Sequence, residues 1–542
     1  MKLFKLKYLS ILFFSCLLFT NCRKEKSYWD DNLVAPIAHG GLKLSNLFPD
    51  TTLKSNPDSS LKIAFEASLI NYRLDSLLKI PDTTITTVFT FSVPTTIALS
   101  AGTYIPLSSN GNPTPNYYNL PNGIQMKKAV IRQGEIKFTM KNTVYEPLAY
   151  HYKLISATKN SKILDTIFHI PKADSVTGIA GTLTGSIDLT GYTIDFTGIN
   201  HNTYNTTVEI DSVHIDTNAK PGYLHYNQGF NSQFSFTGMV PQYALGYFGD
   251  QTIKVGPDTT SFNIFKTIRS GMLNLSSATA NLRIVNEFGV PMRATINSLS
   301  AISTANGQTV TIGPANSTPL AVPININAAI NNGNSETALP KTILINSTNT
   351  PSLTNFIGIL PDKLSYKLSA QINPSGNTSL GNDFGYYGTA FKAYLDADIP
   401  LNFSASNLVL GDTVSFNLNG VNQLQNINRG QLILTATNEY PFAITLQGYL
   451  LDGSKNVIDV LFDTPNVIQE PMLDASLKVV APLQTKLTIP LNKDKISKLQ
   501  KTKYIYYKAV FNTASQPNRV KFYNYYNLDL LLTADINYTI GK

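Results

Sequence analysis

The chain has 542 residues, 43% of them hydrophobic and 14% charged, with 43 Lys and Arg against 35 Asp and Glu. That length is more than one hydrophobic core fills, so roughly two to four domains are expected. Two cysteines, Cys16 and Cys22, cannot supply a disulfide framework or a cysteine zinc site, and a thin basic excess without a Lys/Arg run along the body excludes a nucleic-acid track.

The chain opens with Lys2, Lys5 and Lys7, then an apolar run from Tyr8 to Phe19 that ends at Thr20-Asn21-Cys22. A basic start, an apolar stretch too short to span a bilayer comfortably and a cysteine thiol are the parts of a lipoprotein signal. Residues 1–21 are therefore expected to be removed and Cys22 lipidated. Cys16 is the competing position, but cleavage there would expose Leu17, Leu18 and Phe19 behind the anchor. Without residues 1–21 the chain keeps 40 basic against 35 acidic residues.

Phe19, Thr20 and Asn21 stand where bacterial lipoproteins usually carry Leu and two small residues. This looser box, in a chain rich in Asn, Thr, Lys, Ile and Tyr, resembles that of Bacteroidota outer-membrane lipoproteins. The resemblance implies an outer-membrane, lipid-anchored protein that meets the membrane through its N-terminus. Arg23, Lys24, Glu25 and Lys26 follow Cys22, whereas surface-exported lipoproteins of that group carry an acidic cluster there. The periplasmic face is favoured over the cell surface.

From Tyr28-Trp29-Asp30-Asp31 onward a folded element is expected, and the pattern is β almost throughout. Short alternating runs are separated by turn clusters such as Ser109-Asn110-Gly111-Asn112-Pro113 and Asp452-Gly453-Ser454. Ile187 and Leu189 change parity with Tyr192, Ile194 and Phe196 across Gly191, which predicts a bulge or turn there. Asp494 to Leu499 is the best short helix. At the C-terminus Leu528, Leu530, Leu532, Ala534 and Ile536 alternate with polar residues and predict a strand with one buried face.

Three blocks are self-similar: Ile131-Arg132-Gln133-Gly134, Ile268-Arg269-Ser270-Gly271 and Ile427-Asn428-Arg429-Gly430, followed by Asn142 and Pro147, Asn286 and Pro291, and Asn438 and Pro441. Their spacing suits whole β domains rather than solenoid turns. The expected fold is all-β, with about three tandem β-sandwich-like domains at 61–250, 251–400 and 401–542 behind an anchor-proximal segment, 22–60. The Asn-x-aromatic-Pro step at Asn438-Glu439-Tyr440-Pro441 resembles the strand break of the late-embryogenesis-abundant type 2 β-sandwich. That resemblance implies a small sandwich with an apolar groove and no shared chemistry.

Chemistry-bearing residues are sparse. Six histidines are scattered, and the best metal-like cluster is Asp211, His214, Asp216 and His225. His39-Gly40-Gly41 lacks a Gly-x-Ser-x-Gly partner, and Asp30-Asp31 and Asp396 with Asp398 read as solvated strand residues as readily as a glycosidase pair. No cofactor or metal site is expected, and no enzyme. Tyr504, Tyr506, Tyr507, Phe522, Tyr523, Tyr525 and Tyr526 are the candidate binding aromatics, as a stacking platform for sugars or a wall for acyl chains. The sequence points to a non-catalytic binding or scaffold module for an apolar, lipid-like or protein ligand. The alternatives are a carbohydrate-binding or glycan-processing surface lipoprotein and an accessory subunit of an outer-membrane complex.

Overall fold

A computed structural model describes residues 29–44, 48, 51–73, 80–105, 111–265, 268, 270–417, 427–513 and 519–540. The signal segment and Cys22 lie outside them. The protein is nearly all β, and its strands form where apolar and polar residues alternate. Thr279–Asn286 buries Ala280, Leu282, Ile284 and Asn286 and leaves the intervening residues half-exposed. In the last strand Leu528, Leu530, Leu532, Ala534 and Ile536 are buried, on the face that the alternation predicts.

Strand pairing resolves into three sandwiches of one topology, nested in sequence. Three opening strands come first: β1 (Trp29–Lys43), β2 (Leu61–Arg73) and β3 (Thr83–Thr90). The innermost sandwich is then completed by β4 (Gln125–Asn142), β5 (Leu148–Lys159), β6 (Lys162–Ile170), β7 (Gly181–Asp188), β8 (Thr206–Ile215) and β9 (Gly229–Tyr247). Its sheets run β3-β9-β4-β7 and β8-β5-β6, with the short strands Tyr104–Ile105 and Thr114–Tyr117 on β8. Gly191, at φ 81°, makes the turn expected between β7 and the bridging strand Thr193–Asp195.

The middle sandwich adds β10 (Thr252–Ser261), β11 (Thr279–Asn286), β12 (Met292–Ser303), β13 (Gln308–Ile312), β14 (Lys341–Asn346), β15 (Lys363–Ile372) and β16 (Ala390–Pro400), ordered β2-β16-β11-β14 and β10-β15-β12-β13. The outer one adds β17 (Leu408–Ser415), β18 (Ile427–Asn438), β19 (Ile444–Leu451), β20 (Val457–Val460), β21 (Leu483–Pro490), β22 (Tyr504–Phe511) and β23 (Asn527–Ile540), ordered β1-β23-β18-β21 and β17-β22-β19-β20. Among the described residues helix is limited to short segments such as α1 (Leu353–Gly358) and α2 (Lys493–Lys501), the latter covering the expected helix and capped by Asn492.

Nesting changes the expected division. The described residues form two compact units rather than three successive stretches: one comprises those of 29–62, 264–276 and 401–540, the other those of 63–263 and 277–400. The first is the outer sandwich, and the second holds the inner and middle ones. The segment 22–60 is not merely anchor-proximal, because its β1 pairs along β23 from Trp29↔Ile540 to Lys43↔Asn527. Likewise Ser270 and Gly271 belong to the outer unit, so the middle block's Ile-Arg-Ser-Gly match is not part of β11.

The repeat itself has a physical basis in three fully buried asparagines, each ending its strand. The side-chain oxygens of Asn142, Asn286 and Asn438 accept from the N–H two residues on, at Val144 (2.8 Å), Phe288 (3.1 Å) and Tyr440 (2.9 Å). Their amide nitrogens donate to the carbonyl four residues on, at Glu146 (2.8 Å), Val290 (2.8 Å) and Phe442 (2.9 Å). Each also donates to a distant carbonyl, at Pro171 (3.0 Å), Asn327 (3.0 Å) and Gln469 (2.9 Å). One amide thus satisfies the backbone that the chain frees when it leaves one sheet for the other.

Candidate functional site

On β22 the alternation sends Tyr504 and Tyr506 outward and Ile505 and Tyr507 inward. Tyr507 and Phe522 are core side chains, and Phe522 stacks on Phe403 with ring centres 4.4 Å apart. Neither ring faces solvent, and on β22 the strand period that leaves Tyr506 half-exposed is what buries Tyr507. Tyr506 instead joins Tyr449, ring centres 6.0 Å apart, with Val409, Val457 and Lys508 around an open cleft of about 300 Å³. The Lys455 ammonium lies 5.8 Å from the Tyr504 ring.

Tyr523 and Tyr525 stack at 5.5 Å and 20°, and buried Tyr526 meets both edge-on. Lys478 sits 5.1 Å from the first ring and 5.7 Å from the second. A hydrogen bond to the Tyr525 hydroxyl is the main cause that raises its pKa. Tyr523 and Tyr526 also line a hollow of about 170 Å³ with Leu53, Leu61 and Asn524. This cluster tops the outer core, so Tyr525 is the ring most open to solvent, at 47%.

A third depression, of about 360 Å³, lies beside α2 and is polar, bordered by Asp459, Asp463, Asn466, Asp494, Lys495 and Lys498. Lys495 donates to Asp459 at 3.1 Å, and Lys498 to Asp494 at 2.8 Å. Burial pushes the Asp459 carboxyl up, but the hydrogen bond from Lys495 and its neighbours outweigh it and leave the carboxyl below its ordinary range.

The metal-like cluster of the sequence does not assemble. Asp211 points into the inner core, His214 packs edge-on to Tyr104, Asp216 pairs with His169 at 2.5 Å and His225 lies between Tyr145 and Tyr223. Among the described residues no three metal-ligating side chains converge. His39 pairs with Asp529 at 2.8 Å, and Asp396 pairs with Arg283 at 3.0 Å.

Glu209 is the polar residue that pattern reading misses. It follows Asp211's parity on β8, and both carboxyls lie in the inner core beside Tyr118, Tyr150 and Tyr152. Desolvation raises both pKa values, and the Asp211 charge pushes Glu209 higher still, against the partial help of Asn116 and Tyr152. The buried hydroxyls of Tyr150, Tyr152 and Ser232 close no well-formed hydrogen bond. The signal was available in sequence as a parity argument: Val208 and Ile210 do not continue the inward set of Val213 and Ile215, while Glu209 and Asp211 do.

No protein-family model matches the chain, and no curated protein sequence matches it. Among solved structures, a Parabacteroides distasonis protein provisionally described as secreted is similar over 52% of this chain and 82% of its own, at 12% identity and a TM-score of 0.27. The infectious bursal disease virus VP2 subviral particle is similar over 92% of this chain and 86% of its own, at 8% identity and a TM-score of 0.12. Likeness at these scores carries no argument about fold or function. Among the described residues no helix is long and apolar enough to cross a membrane.

Proposed function

We propose that this is a non-catalytic binding module of the outer membrane, held by a lipid on Cys22, whose outer sandwich takes a carbohydrate on its tyrosine faces. The observation that carries the reading is the pairing of tyrosine rings with lysines: half-buried Tyr449 and Tyr506 beside Lys508, and half-buried Tyr523 and exposed Tyr525 under Lys478. Ring faces stack on the C–H faces of sugars, and the nearby ammoniums and amides serve hydroxyls. The clefts are short, open and of mixed polarity, which suits a sugar ring better than an acyl chain. Val409 and Val457, which line the Tyr449–Tyr506 cleft, favour the second reading, an apolar or protein ligand.

Titration of the intact chain with neutral and acidic oligosaccharides by calorimetry tests the proposal. Binding that falls about tenfold or more in Tyr506→Ala or Tyr525→Ala, with unfolding temperature unchanged, is the expected result. Acyl chains co-purifying with the protein and no response to any oligosaccharide would turn the reading to the apolar ligand.

A further inference from the structure

We infer that β3 is a docking edge for a second copy of this chain, which lays its own β3 antiparallel beside it and closes a two-fold dimer through a continuous sheet. The inference goes beyond the carbohydrate reading, whose tyrosines belong to the other compact unit.

Unpaired backbone groups at the rim of a sheet accept any strand that reaches them, so long edges are guarded by charges, prolines or bulges. Among the described residues β3 pairs with β9 and with no other strand, which leaves one side of it open. Farther along the same edge of β9, Asp383–Tyr386 pairs with Tyr243–Gly246. Each other described edge strand of six residues or more, namely β1, β6, β7, β10, β14, β17 and β21, carries at least one Asp, Glu, Lys or Arg. β3 reads Thr-Thr-Ile-Thr-Thr-Val-Phe-Thr, without charge, proline or glycine, and every position is β-branched or aromatic. Like charges that meet across a two-fold weaken pairing, and β3 brings none.

The Phe91 N–H donates to Gln228 at 2.8 Å and its carbonyl accepts from Asn227 at 2.8 Å, while Gly229, opposite Thr90, turns its carbonyl to the Thr143 N–H at 2.9 Å. Bonding directions alternate along an antiparallel ladder, so the odd-numbered residues of β3 bond to β9. The N–H and carbonyl groups of Thr84, Thr86, Val88 and Thr90 point outward. A two-fold through Thr87 sets Thr84 opposite Thr90 of the second copy and Thr86 opposite Val88, which closes about eight backbone hydrogen bonds. Within Thr83–Thr90 no other two-fold register closes as many. On the core face Ile85 then meets Phe89, and Thr87 meets its own copy. Ile85, Thr87 and Phe89 lie opposite buried Phe234, Ser232 and Phe230 of β9 yet are half-exposed, and a second β3 covers them. Asp82, the nearest carboxylate along the chain, falls opposite Ser92 and already accepts from the Gly238 N–H at 3.0 Å. A single strand pair is a small interface, so the dimer is weak and depends on concentration.

The test is sedimentation velocity of the full chain carrying Cys16→Ser and Cys22→Ser. The mass should rise from monomer toward dimer between about 1 µM and about 1 mM. Thr86→Pro removes an outward N–H that β9 does not use, and Val88→Lys sets a charge on the exposed edge. Each should weaken association about fivefold or more with the unfolding temperature kept. Should Thr86→Pro disturb folding, Val88→Lys decides alone, because its side chain is already exposed. A monomer throughout that range, or a dimer untouched by Val88→Lys, would overturn the proposal. Oxidation reads the register: Thr87→Cys should link two copies across the axis, whereas Ile85→Cys, which faces Phe89, should not. Ile85→Cys linking as readily as Thr87→Cys, or neither linking, would overturn the two-fold pairing. So would a chain that stays monomeric and takes up a foreign extended peptide along β3.

Discussion

The inner and outer sandwiches share strand order and the asparagine clamp, yet the inner core buries the carboxyls of Glu209 and Asp211, whereas among the described residues the outer core buries no carboxyl. Between the inner sheets Tyr152 stacks on Phe234 at 4.3 Å, beside Glu209 and Asp211. In the outer sandwich Leu432, Leu434 and Ala436 face Tyr440, Phe442 and Phe511, and the one deeply buried hydroxyl of the clamp, on Tyr440, donates to Leu42 at 2.9 Å. Topology is therefore set by the clamp and the alternation, while the core composition is left to vary. The inner core should answer to pH and the outer core should not.

The largest expected effect comes from emptying the inner core. Phe234→Ala removes a ring that contacts Tyr150, Tyr152 and Phe138 and should cost about 3–5 kcal/mol. Calorimetry should place the whole loss in the transition of the unit that contains residues 63–263, and a loss shared with the other unit would break the division into two.

Asn438→Ala sharpens the comparison from the other side. It frees the Tyr440 N–H and the Phe442 and Gln469 carbonyls, for a cost of about 3 kcal/mol, confined to the outer unit. Asn142→Ala should do the same to the other unit. If either change were silent, the clamp would not be the shared determinant.

The pH dependence has a definite sign. In the unfolded chain Glu209 ionises near its ordinary value of 4.5, whereas burial first, and the Asp211 charge second, hold it protonated to higher pH in the folded protein. The folded state keeps a proton that the unfolded chain has released, so stability is complete below that ordinary value and declines as pH rises through the raised one. Glu209→Gln should stabilise this unit by about 1–3 kcal/mol on the alkaline side of neutrality and little at pH 5 or so. Thermal melts across pH give the check, and an alkaline decline that survives the substitution would assign the effect elsewhere. The smallest change, Tyr440→Phe, should cost about 1 kcal/mol in the outer unit with no pH dependence.

Much of this was legible from local pattern. The alternation at Leu528 to Ile536, the turn at Gly191, the helix around Asp494 and the asparagine repeat all report short-range geometry, and short-range geometry is what alternation and turn residues encode. Strand partners are a different matter. Nothing local in Trp29–Lys43 names β23 as its neighbour about 500 residues on, so the nesting, and with it the two-unit division, was out of reach. At the candidate surface, half-exposed Tyr506 and exposed Tyr525 were findable as aromatics, but composition grouped them with Tyr507 and Phe522. Only parity along the strand separates a ring that meets solvent from one that fills the core.

The nested pairing of first and last strands is tested most directly by a cross-link between Ala35→Cys and Ala534→Cys, direct partners across β1 and β23. With Cys22 replaced by Ser, oxidation should join the two ends of the chain and shift its mobility on a non-reducing gel, whereas Ala35→Cys with Leu530→Cys, out of register, should not link. A link in the offset pair, or none in the matched pair of a folded protein, would contradict the account.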